Sequence, residues 1–367
     1  MARHFTELNI ETFRSLKDLR IKELGDINIL VGDNNSGKTS VLEAVQILCD
    51  PSIYNVVQVA RQRENYRSSL RIGLPMLDLF MYMFAISSDT KSKSKYEIAL
   101  SAVFRESNHS FKMNGEIIKQ LIDIEVPERY EIVLNSTGSV PIKGQQEVRS
   151  FVGEITLQDG KYVSFELNEY TGLRRAENAE PLITVRNIQT IDHLVSDSFS
   201  NIIRAKDIKE KAISLLKHFD RNIDDLKYTK EEDKFVPMVE SNLSEYLPLS
   251  MYGDGMKKAL TILNALVSAE NGVVLVDEFE TAIHTSAMEN VFKFMILAAK
   301  ELNVQLFLTT HSIESIDKIL RCAGKETDNI RLITLKRDTE TRKTLSRNLA
   351  GSEVLKDRES FNFEVRQ

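Results

Sequence analysis

The chain has 367 residues, 42% of them apolar and 28% charged, with a net charge of −6. That size and balance suit one large domain or two lobes with a full core, and the acidic total excludes a surface that coats nucleic acid throughout, though not a local basic patch. Its two cysteines, Cys49 and Cys322, are far apart and without metal-ligand company, so neither a disulfide framework nor a zinc site is expected and a cytoplasmic setting fits.

The opening MARHFTELNIETF alternates apolar and polar residues and has no signal-peptide core. Period-two alternation predicts strands at Phe5–Ile10, Leu19–Ile21 and Ile27–Val31. Directly after the third comes GDNNSGKT, Gly32 to Thr39, followed by the helix-like SVLEAVQIL. Strand, glycine loop and helix in this order form a phosphate loop. Glycines let backbone N–H groups curl around phosphate oxygens, and the helix aims its positive end at the same anion. Lys38 is placed to reach the β- and γ-phosphates, and the Thr39 hydroxyl to ligate magnesium. Gly32, Asn34, Asn35, Ser36, Gly37 and Ser40 complete the candidate nucleotide contacts.

Residues 50–90 read as helical, with LPMLDLFMYMFAI (Leu74 to Ile86) a buried helix rather than a membrane span, being short and interrupted by Asp78. Ser87 to Lys95 is a polar hinge or exposed loop. Tyr96 to Val185 returns to alternation, with NSTGSVPIKGQQE as its longest turn-rich loop. From Phe199 the run NIIRAKDIKEKAISLLKHFDRNIDDL is helix-periodic. Residues 245–320 carry two apolar strands between helices, a parallel α/β arrangement. The tail after Gly351 is expected to pack loosely, and neither an internal repeat nor a long heptad run is present.

The strand VVLVDEFE ends in adjacent carboxylates, and parallel strands deliver such residues to the edge where α/β folds bind ligands. Asp277 is the candidate magnesium ligand and Glu278 the group that polarises the attacking water. The strand VQLFLTTHS should neighbour it and bring His311 to the same edge, where a neutral imidazole can bond the γ-phosphate or the lytic water. LSMYGDGMKKAL opens a helix with Ser250, Gly253, Asp254 and Gly255. Read alone, that is a helix cap; as a phosphate contact it is badly placed to serve the loop of its own chain.

In the order GDNNSGKT, SMYGDGMKK, VVLVDEFE, TTHS the chain resembles the ABC-type ATPase heads of the RecF, SMC and OLD group. GDGMKKAL, DEFETAIHTSAMENVFKF and VQLFLTTHSIES are most similar to stand-alone bacterial OLD-like ATPases, and the resemblance covers roughly residues 1–50 and 245–365. It implies an α/β, ABC/RecF-like P-loop ATPase with a parallel core sheet, an antiparallel β lobe and a helical lobe. The divisions expected are lobe I at 1–198, a helical segment at 199–245, lobe II at 246–345 and a tail at 346–367.

The resemblance further implies ATP and Mg2+ as cofactors, with Lys38, Glu278 and His311 catalytic and Thr39 and Asp277 on the metal. Ser250, Gly253, Asp254 and Gly255 become the signature that completes the site of a second copy, and Glu280 to His284 the loop crossing between them. The sequence departs from the pattern at Thr281 and Ala282, where relatives carry Asn-Gly, and at Lys258, where they carry an arginine able to bond bidentately. Gln189 is the candidate for the glutamine that usually follows the β lobe.

The function this implies is a slow, dimeric switch ATPase, with higher oligomers left open and no membrane. It would regulate a separately encoded effector, a nuclease or a toxin, in defence against phage or foreign DNA. About 55 residues follow His311, too few for the nuclease domain of full-length OLD proteins. The alternative is a RecF-like, ATP-dependent DNA clamp, with RQRENYR (Arg61 to Arg67) or TGLRRAEN (Arg174, Arg175) as contacts. A transporter subunit fits the β-rich middle poorly. Leu335 to Asp338, LKRD, lacks the leading residue of a guanine-reading motif, so GTP is not expected.

Overall fold

A computed structural model describes residues 3–51, 55, 56, 58–60, 62, 83, 84, 96–120, 129–142, 145–158, 162–167, 181–189, 202–204, 206–217, 220–231, 234–242, 244–281, 283–338, 340, 341 and 343–361. Their strands form three sheets. The first begins with the hairpin β1 (Phe5–Phe13) and β2 (Leu16–Ile21). It continues through β4 (Tyr96–Phe104), β5 (Ser107–Gln120), β6 (Arg129–Ile142), β7 (Gln145–Gln158) and β8 (Tyr162–Leu167) in the order β2-β1-β4-β5-β6-β7-β8, all antiparallel. Most of the predicted turn-rich loop NSTGSVPIKGQQE is strand: Pro141 pairs with Gln146 in the long antiparallel β6–β7 ladder.

The second sheet holds the site. It comprises β3 (Ile27–Val31), β9 (Val185–Ile188), β13 (Val273–Val276), β14 (Gln305–Thr309), β15 (Ile330–Arg337) and β16 (Thr344–Ala350), in the order β16-β15-β3-β14-β13-β9. Only β15–β16 is antiparallel. Every residue of β3, β13 and β14 is buried, as a parallel sheet covered on both faces requires.

Alternation within these strands splits the core in two. Ile27, Ile29, Val31, Val274, Val276, Leu306 and Leu308 face the helices α3 (Asp254–Ser268), α4 (Met288–Glu301) and α5 (Ile313–Ala323). Leu30, Val273, Leu275 and Phe307 face the other way, onto α1 (Lys38–Cys49) and the β1–β2 hairpin. The buried Gln305 side chain ties the first two sheets together. It accepts from Phe5 N and donates to Phe5 O and Gly25 O, each at 2.8 Å.

Two expectations change. The helix in the predicted helical segment 199–245 is α2 (Lys206–Leu216), and it stops there. Residues 223–248 form the third sheet, a meander of β10 (Ile223–Glu231), β11 (Lys234–Ser241) and β12 (Ser244–Pro248). Ile223 and Leu226 both reach the core, three residues apart, because the β10–β11 register shifts between Ile223 and Asp225. Of the tail after Gly351, expected to pack loosely, residues 351–361 form the helix α6 (Gly351–Phe361), with Val354 fully buried. The hinge 87–95, RQRENYR apart from Gln62, TGLRRAEN, and Leu74–Ile86 apart from Met83 and Phe84 lie outside the described residues.

Candidate nucleotide site

The C-terminal ends of β3, β14 and β13 stand side by side, so the loop after each opens onto one edge. The first carries the phosphate loop, tightened by two glycines in the left-handed region, Gly32 at φ 142° and Gly37 at φ 101°. A side chain at either would collide with the fold: a Cβ on Gly32 would lie 2.2 Å from Leu335 O and one on Gly37 2.5 Å from Leu16 Cδ2. Asn34 and Asn35 are exposed on the crown of the loop, and Ser40 is buried at the start of α1.

Lys38 Nζ lies inside the loop, 2.9 Å from both Gly32 O and Asp33 O and 3.5 Å from His311 Nδ1. Burial pulls its ammonium below the ordinary lysine range, against the opposing pull of the Asp277, Glu278, Asp33 and Glu280 carboxylates. Thr39 Oγ1 is 3.2 and 3.4 Å from the two Asp277 oxygens.

Beyond β13 the chain turns sharply, with Glu278 held at φ 47°, a strained value for a residue with a side chain. The strain is held by β14, since Thr309 Oγ1 accepts from Glu278 N at 2.8 Å while donating to Asp277 Oδ1 at 2.6 Å. Thr309 O accepts from Phe279 N at 3.1 Å. His311 sits between the two loops, its Nδ1 toward Lys38 and its Nε2 3.7 Å from Glu278 Oε1. Because β14 lies between β3 and β13, one histidine reaches both the phosphate loop and the acidic turn.

Lys38, Thr39, Asp277, Glu278 and His311 are therefore gathered in one place. The signature candidates are not. Ser250, Gly253 and Asp254 are exposed, Asp254 pairs with Lys257 at 3.1 Å, and a Cβ on Gly253 would meet nothing within 4 Å. Lys258, about one turn further along the helix, is fully buried. Gln189 follows the end of β9, the neighbour of β13, its Nε2 3.5 Å from Gln62 O. Of the two departures in the crossing loop, Thr281 donates to Glu278 Oε2 at 3.4 Å, and Ala282 is outside the described residues.

Sequence reading passed over Thr309 and Thr310, whose only signal was a pair of hydroxyls just before the histidine. It also passed over Arg14 and Glu43. These form a buried bidentate pair, at 2.6 and 3.1 Å, between the β1–β2 turn and α1.

The residues fit a magnesium–nucleotide complex. Ser36 Oγ is buried in the cradle and has no partner among the described residues, and a phosphate oxygen would satisfy it. The separation of the Thr39 and Asp277 oxygens is close to that of adjacent corners of an octahedron with bonds of about 2.1 Å. No cluster of three or more His, Cys, Asp or Glu side chains suited to a metal occurs among the described residues, so such an ion would depend on these two groups and on substrate oxygens. Asp338 of the LKRD run is engaged in its own turn, accepting from Glu340 N at 2.8 Å and Thr341 N at 3.1 Å.

Fold and site define a P-loop ATPase whose histidine strand separates the phosphate loop from the acidic strand. Comparison with known proteins narrows the class. Residues 5–139 match the family AAA_15, "AAA ATPase domain". Residues 163–317 match AAA_21, an "AAA domain" whose full description also names an AbiEii toxin and a type IV TA system. An "ATP/GTP phosphatase" of Helicobacter pylori is 24% identical over 333 residues, 86% of this chain and 88% of that one. An uncharacterized protein of Methanocaldococcus jannaschii is 37% identical over 114 residues, 31% of this chain and 98% of that one. A "DNA replication and repair protein RecF" of Shewanella woodyi is 28% identical over 148 residues, 40% of this chain but only 36% of that one. The chain is an ATPase whose two parts match the AAA_15 and AAA_21 domain models.

Proposed function

We propose that the chain is a switch: two copies close on ATP and separate when it is hydrolysed, and this cycle regulates a separately encoded effector. The observation that carries the reading is a site complete on one side only. Phosphate loop, acidic turn and histidine converge, while the signature turn faces solvent with Met251 73% exposed beside it. Gly253 has open space where a side chain would go, so no packing among the described residues demands a glycine there, whereas close approach by a phosphate on a second copy would.

In this reading Lys38 and the loop N–H groups bind the β- and γ-phosphates, and Thr39 and Asp277 would hold a magnesium ion, which when bound would supply charge neutralisation at the phosphoryl oxygens. Glu278 accepts a proton from the attacking water, and His311 hydrogen-bonds the γ-phosphate end. Charge-assisted contacts of about 1.5–3 kcal/mol each, drawn from both copies, suffice to shift a dimer equilibrium by orders of magnitude.

The effector reading, an OLD-like defence ATPase working with a nuclease or toxin, is supported by the toxin and TA system named in the AAA_21 description. The test is Glu278→Gln with ATP and magnesium, by light scattering and by pull-down from the native host. An ATP-dependent dimer that retains a second protein is expected. Persistent monomers at all concentrations would sink the switch.

The second reading, a RecF-like DNA clamp, rests on the local similarity to RecF. It predicts duplex binding that requires ATP and weakens steeply with salt. A mobility-shift series across salt, with and without ATP, separates it from the first.

A further inference from the structure

The two loops that meet at His311 are fastened by a residue that takes no direct part in hydrolysis as described above. Glu280 lies three residues beyond Asp277, on the chain that leaves the acidic turn. Its Oε1 accepts from Thr310 Oγ1 at 2.5 Å and from His311 N at 3.3 Å. Thr310 is fully buried, and its hydroxyl also accepts from Ser312 N at 2.9 Å, closing the turn that leads into α5. The other oxygen, Oε2, is buried with no partner among the described residues. A carboxylate kept in such surroundings is held by the few donors it has, and these belong to the histidine segment.

The register explains the consequence. Thr309 faces the acidic turn, Thr310 faces Glu280, and His311 projects toward Lys38 and Glu278. Three successive residues of one segment thus each meet a different acidic residue of the other: Asp277, Glu280 and Glu278. His311 is half-exposed, and its own ring contacts are long, 3.5 Å to Lys38 Nζ and 3.7 Å to Glu278 Oε1. Those contacts do not fix the ring; the backbone beneath it does.

We infer that Glu280, acting through Thr310, is a positioning residue for His311: it fixes the histidine backbone so that the imidazole stays between Lys38 and Glu278, and it transmits movement of the crossing loop to that imidazole. This inference rests on the ATPase reading of Glu278 and His311.

The test uses full-length Glu280→Ala, Glu280→Gln, Thr310→Val and Thr310→Ser, with kcat, KM, affinity for a fluorescent ATP analogue and thermal midpoint measured for each. Supporting-shell losses in other sites run to about 10–100-fold, and kcat should fall by that order in Glu280→Ala and Thr310→Val. Nucleotide affinity should stay within about twofold, since no phosphate contact is removed. Glu280→Gln keeps one acceptor oxygen and should lose less, and Thr310→Ser should recover most of the rate. A purely packing role would instead lower the thermal midpoint and leave kcat of the folded fraction unchanged, which overturns the inference. So does a Thr310→Ser variant as slow as Thr310→Val, or an affinity that falls in step with kcat. Absence of turnover in the wild-type chain would overturn the reading of Glu278 and His311 itself, a result distinct from any variant-specific outcome.

Discussion

At Lys38 burial and charge pull in opposite directions. Burial lowers its proton affinity, while four carboxylates nearby raise it, and burial is the larger influence. A triphosphate favours the charged ammonium, so nucleotide affinity should be full at neutral pH and decline as pH passes the lowered value, earlier than an ordinary lysine would dictate. Titrating analogue binding between about pH 7 and 10 checks this, with Lys38→Arg, whose charge persists throughout, as the flat control. Lys38→Ala should lose most measurable affinity at any pH. Glu278→Gln should behave oppositely, keeping affinity while kcat falls by about 10²–10⁴-fold, the range expected for loss of a general base. The phosphate-loop residues and both acids were legible in the sequence because each is a local event: a loop, or a strand end. The role of Thr309 was not, since it exists only because β14 and β13 are neighbours in register.

The elements are held to one another by a few buried polar contacts. Arg14 and Glu43 bind the β1–β2 turn to α1, and both side chains are nearly inaccessible. Removing one partner leaves the other charge buried, so Arg14→Ala should destabilise by about 3–5 kcal/mol, whereas a paired apolar replacement should recover much of the loss. Denaturant midpoints of the single and double variants decide this. His4 provides a pH test. It is buried, Nε2 3.2 Å from Asn303 O and Nδ1 3.4 Å from Arg105, and burial lowers its pKa below the usual 6.5. The unfolded chain therefore binds the proton more readily, and stability should fall as pH drops through about 6.5 until the lowered folded value is reached. Measured against wild type, His4→Gln should show a shallower slope. Composition and periodicity revealed most strands of this region. They missed that the helical segment gives way to a meander after Leu216, because helix and strand periods coexist there and packing chooses between them.

For the whole molecule, the exposed signature turn is the feature that a single copy leaves unexplained. If two copies close as proposed, Met251, 73% exposed next to Ser250, should be covered. Met251→Glu should abolish the ATP-dependent dimer while leaving analogue binding by the monomer within a few fold, a split that sedimentation and fluorescence titration can read separately. Among the described residues no helix is long and apolar enough to cross a membrane.

The sequence by itself determined the phosphate loop, the acidic strand end and the histidine strand, and their order along the chain. These are set by local chemistry: glycines that admit positive φ, apolar runs that must be buried, and polar residues where a run stops. Only the tertiary structure decided that β14 comes between β3 and β13, which puts His311 within reach of both loops. It alone showed that Thr309 and Thr310 grip Asp277 and Glu280, and that residues 351–361 form a packed helix. Strand order and side-chain pairing across hundreds of residues depend on which faces are buried together, and no window along the chain contains that information.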